Sequence, residues 1–85
     1  MAPLILSQPE AVITTAGQTA IFEVKVAAIP GGTYQWFRNG SAISGATGAM
    51  LKIEDVHIGD AGSYSVAVKN NSGGETSEAA ELIVK

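Results

Sequence analysis

Tyr64, Val66 and Val68 occupy every second position of one segment, with Ser63, Ser65 and Lys69 opposed to them. Side chains repeat with a period of two in an extended strand that buries one face, so this segment needs a sheet with an apolar layer beneath it. Ala20, Phe22, Val24 and Val26 have the same period, with Glu23 and Lys25 between them, and only Ile21 breaks the polar side. No stretch keeps a 3.6-residue apolar stripe for three turns. The fold class is therefore all-β, with a helix expected nowhere. At 85 residues the chain has room for one core and one domain, residues 1–85, with the core spanning 4–84.

Turn signals divide the rest. Pro30-Gly31-Gly32 stops the strand that begins near Thr19, because proline donates no ladder hydrogen bond and paired glycines favour turns. Thr33 to Arg38 forms the next strand, with Tyr34 and Trp36 on one face and Gln35 and Phe37 on the other. Asn39-Gly40 tolerates the positive φ of a tight type I′ hairpin, so the chain reverses there into Ser41–Ile43. Ser44 to Gly48 is a small-residue loop, and Ala49 to Ile53 is a strand with Leu51 and Ile53 facing in. His57 to Gly62 is a turn, Asn70 to Gly74 a hairpin loop, and Ala80, Leu82 and Val84 alternate along a closing strand. Leu4–Leu6 and Ala11–Thr15 form a first strand pair interrupted at Pro9, which suits an edge. Seven or eight short strands at this spacing predict a β-sandwich rather than a closed barrel.

Cysteine is absent, which removes disulfides, thiolate nucleophiles and thiolate metal sites together. Charged residues are 15% of the chain and the net charge is −3, without a basic cluster, so nucleic acid is an unsuitable partner. Apolar runs fall far short of the roughly 18–20 residues that a spanning helix needs, and no membrane insertion is expected. Met1-Ala2-Pro3 lacks the charged and apolar regions of a signal peptide, so the chain reads as a module excised from a longer one.

Taken together, Gly17-Gln18-Thr19-Ala20-Ile21-Phe22, Tyr34-Gln35-Trp36-Phe37-Arg38-Asn39-Gly40, Leu51-Lys52-Ile53, Asp60-Ala61-Gly62-Ser63-Tyr64 and Ala80-Glu81-Leu82-Ile83-Val84 resemble an immunoglobulin-like domain of the intermediate (I-set) type. The resemblance implies an antiparallel sandwich of seven or eight strands. It makes Trp36 the buried indole of strand C and Tyr64 the corner tyrosine whose hydroxyl bonds back to the turn before strand F, with Asp60 bracing that turn. It also places the two family cysteines at Val24 and Val66, so the bridge is missing and Val24, Trp36, Leu51, Tyr64 and Val66 must hold the core unaided. The interval between the two valines is too short for the additional strands of a variable-type domain. Thr33-Tyr34-Gln35-Trp36, Asn39-Gly40 and Ile43-Ser44-Gly45-Ala46-Thr47 look most like the cysteine-free modules of large exported bacterial proteins. The scarcity of charge and abundance of Ala, Gly, Ser and Thr agree with that affiliation.

No residue set supports catalysis, and no cofactor or metal is expected. His57 is the sole imidazole and no nucleophile-elbow pattern accompanies it. Glu54, Asp55 and Asp60 could offer oxygens to calcium, yet their spacing fits no calcium loop, and they read as solvated acids at a strand end. Gly45–Gly48 and Gly73-Gly74 lead into strands, which makes them turns rather than phosphate cradles. Asn39-Gly40-Ser41 and Asn70-Asn71-Ser72 match the N-glycosylation pattern on exposed turns and read as unmodified. Ile21, Phe37 and Ile83 point outward, Ile21 on the sheet opposite Phe37, and do not form one patch.

The expected function is that of a non-catalytic spacer or presenter, one of a tandem series in an exported bacterial surface protein, with termini at opposite poles and neighbouring domains as partners. The isolated module is expected to be monomeric. Two alternatives remain. One is recognition of a protein or carbohydrate through Gln35, Phe37, Asn70 and Asn71; the other is a cytosolic muscle-type I-set interaction module.

Overall fold

The computed structural model describes residues 3–27 and 32–85, so the expected stop at Pro30-Gly31 lies outside the described residues. The described residues form ten strand segments: β1 (Leu4–Ser7), β2 (Val12–Thr14), β3 (Ala20–Glu23), β4 (Lys25–Ala27), β5 (Thr33–Arg38), β6 (Ser41–Ala42), β7 (Met50–Ile53), β8 (Gly62–Asn70), β9 (Gly73–Thr76) and β10 (Ala80–Val84). They reduce to eight paths. β3 and β4 are halves of one path interrupted at Val24, whose N–H still reaches Ala49 O at 3.0 Å. β9 and β10 lie one after the other along β8, opposite Ala67–Asn70 and Gly62–Tyr64 respectively.

One layer has the order β2-β10-β8-β5-β6, with β9 on the remaining length of β8; the other joins β1 to β4 and β3 to β7. Apolar residues of both layers meet between them. Ala20, Phe22, Val24 and Leu51 come from one side, and Trp36, Tyr64, Val66, Val68, Ala80 and Leu82 from the other, with Val56 from the connection after β7. The alternation in β3 and β8 thus appears directly as alternating burial. Asn39 and Gly40 have φ of 49° and 85°, the left-handed pair that a two-residue hairpin requires, and Arg38 pairs with Ser41 across it.

Three expectations need correction. The sandwich is not wholly antiparallel, because β2 runs parallel to β10 in the register Val12–Leu82, Ile13–Ile83 and Thr14–Val84. For the same reason β1 and β2 are not a pair. The chain changes layer at buried Pro9, which has no N–H to offer either ladder. The loop after β8 is only Asn71-Ser72, and Gly73–Thr76 continues as β9. Within the expected turn at His57–Gly62, Ile58–Asp60 forms a single 3-10 turn, closed by the Ala61 N–H to Ile58 O bond at 3.2 Å.

The start of β1 and the last residue lie apart. β1 begins with Leu4 beside Ala27, whereas Lys85 at the other end exchanges backbone bonds with Ala16 (3.2 Å) and Thr14 (2.9 Å). The strand path through β3 and β4 separates these places, and the molecule extends 41 Å along its longest axis against 22 and 18 Å across.

Candidate functional site

Alternation along β5 turns Trp36 inward, and the indole is completely enclosed. Its Nε1–H donates to Gly48 O at 2.7 Å, so the loop before β7 is fastened to the centre of the opposite layer. Phe22 joins the two aromatic residues of the other layer: its ring centroid lies 6.3 Å from Trp36 in a tilted arrangement and 4.9 Å from Tyr64 in a stacked one. Val24 and Val66 are both buried in this same cluster. Three aromatic rings thus share one apolar layer with Val24 and Val66, the two positions at which the resemblance puts the family's bridge.

The corner at the start of β8 is a chain of polar contacts. Tyr64 Oη donates to Asp60 O at 2.5 Å, and Asp60 Oδ2 accepts the His57 N–H at 2.8 Å. Burial pushes the Tyr64 phenol above its ordinary pKa; nearby Asp60 adds to this and Arg38 opposes it. Arg38 Nη2 donates to Gly59 O, while its buried Nε has no hydrogen-bond partner among the described residues. Arg38 thereby ties β5 to the turn that Tyr64 and Asp60 hold. It was not singled out in the sequence, although its position two residues after Trp36 gives it the same face. Ser77 had no such signal. Its Oγ accepts the Val66 N–H at 2.9 Å and its own N–H donates to Val66 O at 2.8 Å, filling the gap between β9 and β10.

The proposed contact residues are spread along the outer side of the six-stranded sheet. Phe37 is half-buried opposite Ser65, while Asn70 and exposed Asn71 lie at the far end of β8, about 17 to 20 Å away at a strand's rise per residue. The structure does not bring these two ends together. Gln35 is already engaged, since its Nε2 donates to Trp36 O (2.9 Å) and Ile43 O (2.7 Å) and holds the segment after β6 against β5. Asn70 Oδ1 accepts the Ser72 N–H at 2.9 Å within the turn. Asn39 Oδ1 accepts the Ser63 N–H at 2.9 Å, and its amide lies so close to Gly62 that a Cβ there would meet it at 2.9 Å. Both asparagines of the glycosylation pattern therefore shape their turns. Ile21 and Phe37 occupy opposite sheets.

An open cleft of about 500 Å³ runs between β7 and the segment after β6, walled by Arg38, Ile43, Ala46, Leu51, Ile53 and Tyr64 among others. Among the described residues no three His, Asp or Glu side chains gather into a metal-binding group, and His57 is exposed on its turn. The acids Glu54 and Asp55 likewise face solvent.

A family profile for the immunoglobulin I-set domain matches residues 3–84. The chain is 31% identical to smooth-muscle myosin light chain kinase of Gallus gallus over 80 residues, covering 84% of this chain and 4% of the kinase. It is 30% identical to cartilage intermediate layer protein 2 of Mus musculus over 86 residues, 96% of this chain and 7% of that protein. Among solved structures, the titin domains Z1Z2 in complex with telethonin superpose with a TM-score of 0.87 at 33% identity, over 100% of this chain and 48% of theirs. The chain thus spans a small part of the curated relatives it matches. These relatives are animal proteins, and the bacterial affinity expected from the segments at 33–36, 39–40 and 43–47 finds no support among them. By its sequence and its sandwich, the chain belongs to the immunoglobulin I-set family.

Proposed function

We propose that the chain is a non-catalytic structural and interaction module of the muscle type, one of several strung along a longer animal protein. The observation that supports this is that β1 starts beside Ala27 whereas Lys85 bonds Thr14 and Ala16, at the other end of the β3–β4 path, in a body 41 Å long. A module entered at one pole and left at the other lengthens a chain by about its own length without rearrangement. Two features support the intracellular side of the reading: the titin and kinase relatives, and a core that needs no disulfide in a reducing compartment. The titin domains are recorded with telethonin; by analogy a protein partner suits this chain better than a carbohydrate, and the module is monomeric until that partner binds.

Small-angle scattering on one, two and three directly joined copies tests the geometry. The maximum dimension is expected to rise by close to one module length per copy, whereas a compact, side-by-side particle would overturn the reading. Antibody staining of source tissue tests the compartment, and deposition in extracellular matrix would remove the muscle-type assignment.

A further inference from the structure

Among the described residues β7 is an edge strand, with no strand paired to its outer side. It pairs with β3, in the register Ala20–Ile53, Ile21–Lys52, Phe22–Leu51 and Glu23–Met50. Because the Val24 N–H bonds Ala49 O, the antiparallel alternation directs the backbone groups of Leu51 and Ile53 toward β3 and those of Met50 and Lys52 away from it. Among the described residues no strand takes up those outward groups. Exposed edges with free donors and acceptors are templates for another strand.

The 500 Å³ cleft lies along this edge, with Leu51 and Ile53 on one wall and Ile43 and Ala46 on the other. That volume falls within the range of about 300–1,000 Å³ typical of ligand sites. The wall at 43–46 decides the kind of occupant: a second folded copy would bring its own segment 43–46 against this one, whereas a lone extended strand carries no such segment. On the solvent side Lys52 Nζ and Glu54 Oε1 are 3.6 Å apart and cancel each other's charge, so the edge carries no net sign to repel a partner.

We propose that the β7 edge is a docking site for an extended peptide segment of another protein. The segment adds as a strand through Met50 and Lys52 and places an apolar side chain at every second position between Ile43, Ala46, Leu51 and Ile53. This goes beyond the role as a spacer, which requires no lateral contact.

The test is a displayed library of linear nine-residue peptides selected on the folded chain, followed by amide NMR with a synthetic copy of an enriched peptide. Enriched peptides are expected to alternate apolar and polar residues, and the Met50 and Lys52 amides to shift and exchange more slowly on binding. Lys52→Pro and, separately, Met50→Pro each remove one outward N–H without breaking a bond to β3, and each is expected to weaken binding at least tenfold. Unchanged tryptophan emission from Trp36 shows that the variant is folded. The proposal fails if no peptide is enriched, if the shifted amides cluster around Phe37 on the other sheet, or if both proline variants bind as tightly as the parent. None of these results alters the scattering of joined copies, so the spacer reading stands or falls separately.

Discussion

Trp36 carries the core residue by residue: it is fully enclosed, packs against Phe22 and donates to Gly48 O. Trp36→Ala is expected to cost about 3–5 kcal/mol, enough to unfold a domain of marginal stability, as read by urea denaturation. Trp36→Phe keeps most of the apolar contact and loses the bond to Gly48, so its cost should be clearly smaller. Tyr64 gives a pH-dependent counterpart. Its phenol titrates higher in the folded chain than in the unfolded one, chiefly because of burial. The stability this represents is complete below about pH 10, the ordinary value for tyrosine, and is lost as pH rises through the folded value. Denaturation midpoints across alkaline pH should therefore fall less steeply in Tyr64→Phe than in the parent. Both residues were legible in the sequence, through alternation and through the family pattern. Arg38 and Ser77 were not, because their partners, Gly59 and Val66, are brought to them by other segments of the chain.

At the scale of elements, the join between β9 and β10 is the informative one. Ser77 there answers both backbone groups of buried Val66. Ser77→Ala leaves the Val66 N–H unpaired in the core and should cost about 1–3 kcal/mol. Hydrogen exchange of the Val66 amide would show it: protection should fall at that site more than along β3, and equal losses everywhere would contradict the account. The hairpin at Asn39-Gly40 was readable because two adjacent positive φ values leave few residue choices. β9 was not readable, since Gly73-Gly74-Glu75-Thr76 has no apolar alternation and forms only because β8 offers it an edge. The same reason hid the parallel pairing of β2. Val12 and Thr14 mark a strand, but period two says nothing about which neighbour, or which direction, the strand will meet.

For the whole molecule, the missing bridge is the main energetic question. Val24→Cys with Val66→Cys together should form a disulfide under oxidising conditions and raise stability by about 2–4 kcal/mol, measured against the reduced form. Failure of the bond to form would show that the valines do not occupy the bridge position that the resemblance assigns them. Local sequence was sufficient for the all-β class, the inward faces of β3, β5 and β8, and the enclosed aromatic residues, because burial on one side of a strand imposes a two-residue period that can be read locally. Tertiary structure alone decided that Gln35 is engaged, that Phe37 stands far from Asn71, and that β7 is left with an open edge beside a cleft. Those outcomes depend on which strands become neighbours, a choice made by packing between segments distant along the chain, and no local period encodes it.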